Sequence, residues 1–373
     1  IDKKSHLSFV TVNWYSEGNV MNIKHYDMVK FYNCSFRDLN VRPSFFTVIS
    51  LTNISLINFI HSTFTKMSRQ IISASFCKCL QLRYVQIINC TILHKNHNAD
   101  SPVSVLEIRS IFISKSKFSQ NKARANGVLL IFHVKLLNIS DSSFNANTGE
   151  NNGGAISIKN TSLVTFSSSS FSFNSARSGG SIHSQIVILI KIVNCNFMNN
   201  YAKLNGGGIF ISRSIEIDIS KTMFMGNEGK QGAGGFVMFA DRFTAHKCTY
   251  ARNHALEDQQ FYAKGGGLYT IKTNYITMID VKFVQNKADI GAGLLINRAV
   301  STESIGLYFG GNKLYASSWY GKEHKLIQGA GMVINTISKV IFRNSTFAHN
   351  ENHDGDGGGL VIVNAKSCRI IMS

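Results

Sequence analysis

The sequence predicts an all-β chain wound as a right-handed parallel β-helix, a solenoid of roughly thirteen turns of about 26–28 residues each. Three observations carry that reading. A Phe-x-x-Asn signature returns every 26 or 27 residues over most of the chain, with two longer intervals. A glycine-rich element and an aliphatic run follow each signature. Between them, apolar residues alternate with period two, as in strands, and no segment holds a 3.6-residue period over ten or more positions.

The signature runs from Phe118-to-Asn121 through Phe144, Phe171, Phe197, Phe224, Tyr250, Phe283 and Phe309 to Phe347-to-Asn350. The glycine element reads Gly153-Gly154-Ala155-Ile156, Gly179-Gly180-Ser181-Ile182 and Gly206-Gly207-Gly208-Ile209, then Gly234-Gly235-Phe236-Val237, and continues to Gly357-Gly358-Gly359-Leu360. Ile209 and Ile211, then Ile215, Ile217 and Ile219, show the alternation within one unit. Short strands that need the same partner in the next unit stack in parallel, about 4.8 Å apart. The Phe is expected to point inward and stack as a column of rings. The Asn is expected in the preceding turn, where it tolerates the left-handed region and pairs its amide with the Asn of the next turn. Glycine suits a corner of positive φ or crowded backbone. Only two prolines occur, as central strands require.

The repeat continues more weakly toward the N-terminus. Phe9, Phe36, Phe64 and Ile92 stand in for the signature aromatic, and Ser44-Phe45, Ile71-Ile72 and Pro102-Val103 for the glycine pairs. Residues 1–373 therefore read as one β-helix domain, with diverged turns over 1–104 and regular turns over 105–373. Ile1 in place of Met, and an end in mid-turn at Ser373, read as an excerpt of a larger chain.

The Gly-Gly-Ala-Ile and Phe-x-x-Asn pairing resembles the repeats of chlamydial polymorphic outer-membrane proteins, well over about 105–373 and poorly before. The resemblance implies a β-helix surface protein of adhesin or passenger type. It implies no chemistry, because that family is defined by its scaffold. Richness in Asn, Lys, Ile and Phe with scarce Pro is consistent with an AT-rich genome and a protist source.

Composition adds bounds. The most apolar stretch, Ile186 to Ile190, stops at Lys191, far short of the roughly 20 residues of a membrane span. Of seven cysteines, Cys34, Cys90, Cys195 and Cys248 are read two residues before the signature aromatic, a small inward position. Pairs two turns apart would be separated by roughly 9.6 Å, beyond the 7 Å or so that a disulfide spans, so buried free thiols are expected. Cys77 and Cys79 form a lone C-x-C, weak as a metal motif. Sequons at Asn33, Asn53, Asn89, Asn138, Asn160 and Asn344 permit glycosylation, and Asn33, Asn89 and Asn344 are expected on one outward face. The net charge of +18 favours anionic partners such as acidic glycans, or keeps a long β-surface soluble. No nucleic-acid recognition module is visible.

Catalytic, cofactor and metal residues are expected to be none. The Asn-Thr-Asp, Gly-His-Gly and Arg-Ile-Lys motifs of polygalacturonases are missing, and His353-Asp354-Gly355-Asp356 offers too few oxygens for Ca²⁺. Two insertions are the candidate ligand site. One follows Asn253 and holds Phe261 and Tyr262; the other follows Asn312 and holds Lys313, Tyr315, Trp319, Tyr320, Lys322 and Lys325. Aromatics amid lysines suit stacking on sugars and pairing with acidic groups, or folding back as a lid or subunit contact. The function expected is an extracellular or cell-surface scaffold: a fibre segment, coat component or adhesin, a glycoprotein whose partners are other subunits, neighbouring β-helix segments or anionic glycans. The alternatives are a carbohydrate-active β-helix enzyme on acidic polysaccharide and an intracellular assembly component.

Overall fold

The computed structural model describes residues 5–15, 21–37, 47–68, 70–88, 90, 101–256, 262–315, 329–352 and 357–371. They form a parallel β-solenoid in which every pairing between named strands is parallel, and no helix occurs among the described residues. The chain divides into two compact units. The first comprises Ile1–Arg177 and Ser181–Ile188, the second Ser178–Gly180 and Leu189–Ser373.

In the first unit the signature strands are three residues long, for example Lys117–Ser119, Ser143–Asn145 and Ser170–Ser172. Phe118, Phe144 and Phe171 are in register, their rings stacked 4.6 and 5.0 Å apart and nearly parallel. Two-residue strands follow at Lys122–Ala123, Thr148–Gly149 and Ser175–Ala176. The third face is a long run that bends once, separate as Leu129–Phe132 and Leu136–Ser140 and continuous as Ile156–Ser167. In the second unit Phe197, Phe224, Tyr250, Phe283, Phe309 and Phe347 make the same column, with centroids 4.7–5.1 Å apart.

The asparagines build a ladder beside each column. In the first unit Asn147 Nδ2 donates to Asn174 Oδ1 of the next turn (3.0 Å) and to Phe118 O of the previous one (2.9 Å), so each carboxamide ties three turns together. The same arrangement runs from Asn200 to Asn350 in the second unit. Asn147, Asn174, Asn200 and Asn227 are fully buried, and their polar atoms are matched, as burial requires.

The left-handed corner falls one residue earlier than the sequence suggests. Gln120, Ala146, Phe173 and Asn199 carry φ of +51° to +56° and spare the ladder Asn that conformation. One turn has non-glycine residues at three such corners, Asn160, Ser168 and Phe173, and glycine at a fourth, Gly179. Their backbone N–H groups still bond the next turn (Gln120 to Asn145 O, 2.9 Å), which helps to hold residues other than glycine in the left-handed region. Glycine itself is required where backbones touch: a side chain on Gly207 would collide with the carbonyls of Glu228 and Ala233. In one turn the glycine element is displaced by a residue. Gly235, not Phe236, pairs with Ile209, and the positive φ belongs to Gly232.

Three N-terminal assignments are corrected. Trp14, not Phe9, stacks on Phe36 (4.4 Å), while Phe9 stacks on Phe31 (4.8 Å) in a second inner column. Ile87, not Ile92, lies between Phe64 and Phe118, and Ile92 is outside the described residues. Cys90 therefore stands at the ladder position, where its N–H donates to Asn121 Oδ1 (3.0 Å), and Val85 takes the small inward position. All seven cysteines are free thiols. Burial raises the Cys248 thiol to about 11, and it donates to Ile219 O (3.3 Å). Cys77 is buried, and Cys79, one strand alternation away, is less so; no group of three or more His, Cys, Asp or Glu side chains suited to a metal occurs among the described residues.

Candidate functional site

The insertion corner divides into residues that join the scaffold and residues outside the description. Phe261, Trp319, Tyr320, Lys322 and Lys325 lie outside the described residues, as does the His353–Asp356 cluster. Lys313 is not a loop residue. It opens the regular strand Lys313–Leu314, pairs with Lys287, and is salt-bridged to Glu351 (2.7 Å). Tyr315 folds back. It packs against a buried cluster that includes Ala255, Ala288 and Leu314, and its hydroxyl contacts His254 and donates to Ala255 O (2.8 Å), with Lys287 Nζ 4.2 Å from its ring centre. Tyr262 packs on a second cluster containing Phe236 and Tyr269. Both aromatics thus lie against the solenoid flank.

The sequons are placed differently from one another. Asn33 and Asn344 are exposed corner residues with φ of +54° and +50°, each in its own unit. Asn53 is likewise an exposed corner (φ +54°). Asn138 sits in mid-strand between Phe112 and Thr165, its side-chain oxygen buried and unpartnered. Asn160 Nδ2 is 2.8 Å from His133 Nε2. Asn89 is outside the described residues.

A concavity the sequence did not suggest lies on the first unit. There the strand that follows the glycine element turns alternate side chains outward. Register sets Ser104, Leu130 and Ser157 in one row and Leu106, Phe132 and Lys159 in the next. With His183, Gln185, Glu107, Asn126 and Asn152 they line a groove of about 480 Å³. Asn152 Nδ2 donates to Asn126 Oδ1 at 3.5 Å along one rim. Phe132 gives the floor an aromatic surface, with the His133 ring 4.0 Å away and Lys159 Nζ 5.9 Å from its centre. His183 is half-buried, and desolvation lowers its pKa from 6.5 to about 4, so the imidazole is uncharged at neutral pH. Such a lining offers amide and hydroxyl hydrogen bonds, one aromatic surface, one cation and one carboxylate, Glu107.

The second unit fills the same face. Phe210, Phe236, Tyr269, Leu295 and Val333 occupy the equivalent outward row, and Ile290 and Tyr262 close over them. Phe236 is 4% exposed and Val333 1%, although both point away from the solenoid interior. A shallower depression of about 490 Å³ lies on the second unit, between Arg213, Phe239, Asp241 and Lys272. The signal for the groove was present in sequence. The residue after the motif's aliphatic changes from Ser157 and His183 to Phe210 and Tyr269.

No protein-family model matches the chain, and no curated protein matches it in sequence. Among solved structures it is similar to tailspike protein 3 of bacteriophage CBA120, with a TM-score of 0.53 at 9% identity over 96% of this chain and 55% of that one. The chain thus spans about half the length of the tailspike. It is also similar, with a TM-score of 0.38 at 8% identity, to the A-module of a mannuronan C-5 epimerase of Azotobacter vinelandii, over 97% of this chain and 90% of that one. At such identity the tailspike comparison bears on fold, and the fold shared is the parallel β-helix.

Proposed function

We propose that the chain is an extracellular or surface-displayed β-helix scaffold of the adhesin or fibre kind, which binds saccharide chains along its flank and catalyses no reaction on them. The observation that carries this reading is the open groove of the first unit. Its volume suits a small-ligand or sugar subsite, and amides, hydroxyls and one aromatic face are what sugar hydroxyls and ring C–H groups call for. A phage tailspike with the same architecture, and the exposed sequon corners at Asn33 and Asn344, support a role outside the cell.

The rival reading, an enzyme on acidic polysaccharide, takes support from His183, an uncharged imidazole beside a Lys-containing groove. The same lowered pKa makes that imidazole a weak general base at neutral pH. The groove lining also holds a single carboxylate, whereas glycoside hydrolysis uses two about 5–9.5 Å apart. A glycan array run with the whole chain, together with an end-product assay on every retained glycan, tests the choice. Retention without cleavage, elimination or epimerisation is expected; turnover of a retained glycan would sink the scaffold reading.

A further inference from the structure

A second feature of the first unit lies away from the groove, on the corner before the signature strands. His61, Tyr84 and Lys115 occupy that corner on successive turns, with φ of +50°, +54° and +49°. Their N–H groups bond Arg83 O, Ser114 O and Ser140 O at 3.1 Å, so backbone continuity fixes the row. The rings of His61 and Tyr84 stack at 4.6 Å and 5°, and Tyr32 meets His61 edge-on at 5.9 Å. Cations are held against these rings. Lys115 Nζ donates to the Tyr84 hydroxyl (3.4 Å), the Arg83 guanidinium lies 5.2 Å from the Tyr84 ring, and Lys30 Nζ lies 5.2 Å from that of Tyr32. Hydrogen bonding by Lys115 and Arg83, with a smaller contribution from their charge, lowers the pKa of the Tyr84 phenol. None of these three cations has a carboxylate partner among the described residues, whereas Lys313 and Arg343 in the second unit are paired with Glu351 and Glu303.

We propose that this ridge of Tyr32, His61 and Tyr84, edged by Lys30, Arg83 and Lys115, is a binding site for an acidic polysaccharide. The inference rests on the scaffold reading and names a ligand class for it. Lys30, Arg83 and Lys115 stand on the first, third and fourth of four successive turns, a spread along the solenoid that a linear chain with repeating anions can follow; a membrane would call for a plane of them. One contact at an exposed cation is worth little, but a polymer that meets several gains by multivalency. The aromatic rings hold the cations in place before binding, which reduces the ordering cost. Single-stranded nucleic acid would need free ring faces for its bases. Tyr84 has none to offer, since His61 stacks on its ring and Lys115 and Arg83 also lie against it. Hydroxyls and carboxylates or sulfates need only the exposed edges, the phenol and the cations.

The test is affinity electrophoresis of the whole chain through gels containing polygalacturonate, dextran sulfate, neutral dextran or oligo-dT. Four forms are compared: wild type, Arg83→Gln/Lys115→Gln, the charge-matched control Lys221→Gln/Lys247→Gln on the corner row of the second unit, and the groove variant Phe132→Ala/Lys159→Gln. Expected is retardation of wild type by an acidic polysaccharide, weakened roughly tenfold in the ridge variant at low salt and little changed in the charge control. Melting temperatures of ridge and control variants should match wild type, because the substituted side chains are exposed. Equal loss in ridge and control variants would reduce the effect to net charge and overturn the site. Loss only in the groove variant would overturn the ridge and leave the scaffold reading standing. Retention by oligo-dT above both polyanions would overturn it in favour of nucleic acid. If neither acidic polysaccharide retards wild type the ridge fails, and the scaffold reading fails with it only if the glycan array is also blank.

Discussion

The two units use one backbone plan and treat its outer face in opposite ways. Outward from the strand after the glycine element, the first unit places Ser104, Ser157 and His183 and leaves a groove; the second places Phe210, Phe236 and Tyr269 and covers them with Tyr262 and Ile290. Inside, both carry the same ring column and the same Asn ladder. The difference separates two jobs that repeat proteins usually mix. The inner columns specify the winding, and the outer row is free to be site or cover. In the second unit this cover adds apolar burial outside the core, at about 25 cal/mol per Å² removed from water.

The comparison can be broken, and the largest effect belongs to the part both units share. Phe224→Ala removes a fully buried ring between Phe197 (4.9 Å) and Tyr250 (4.7 Å). It should cost about 3–5 kcal/mol by denaturant melt, and a neutral result would refute the inner column as the source of stability. Phe236→Ser imitates the first unit at the covered row and should cost about 2–4 kcal/mol. Its mirror, Ser157→Phe, should leave stability within about 1 kcal/mol while abolishing any ligand seated in the groove. Equal penalties for the two would show that the rows are not functionally distinct. Asn227→Ala leaves Phe197 O and the Asn253 amide oxygen short of a donor and should cost about 1–3 kcal/mol.

The smallest effect is a pH dependence. His183 has a folded pKa near 4 against an unfolded 6.5. Between those values the unfolded chain binds the extra proton, so this residue's contribution to stability is intact above about 6.5 and falls as pH drops toward 4. Melts at pH 7 and pH 5 should differ less in His183→Gln than in wild type, by something on the order of 1 kcal/mol. An identical slope would mean that the imidazole is not desolvated.

Much of this architecture was legible because Phe and Asn recur where buried columns demand them. The errors arose where two aromatic columns run side by side. Phe31 and Phe36, or Phe59 and Phe64, are five residues apart and both buried, so a spacing of 27 counted back from Phe36 reached Phe9 in the wrong column. True intervals there are irregular: 22 residues from Trp14 to Phe36, 23 from Phe64 to Ile87 and 31 from Ile87 to Phe118. The groove was not legible from one turn, because its walls come from residues about 26 apart whose adjacency exists only once register is known. Lys313 stands in the scaffold because the insertion begins later than the ladder Asn, and Tyr315 folds back on the flank, one of the two arrangements its aromatic character allows. The chain first lays down a regular two-residue strand, and only then departs.

The left-handed corners have a consequence for how such a chain evolves. The row before the signature strands reads Asn33, His61, Tyr84, Lys115, Asp141 and Ser168 in the first unit: amide, imidazole, phenol, amine, carboxylate and hydroxyl. The core sets none of these identities, because the backbone bonds hold the corner and the side chain projects outward; contacts that depend on identity, such as His61 on Tyr84 and Lys115 on the Tyr84 hydroxyl, run along the row itself. Mutation there rewrites the surface one turn at a time without touching the winding beneath. A lineage under pressure to change its ligand, or to escape recognition, has in this row a set of characters at fixed spacing, some coupled to a neighbour in the row, and so a surface that can drift while the fold stays still.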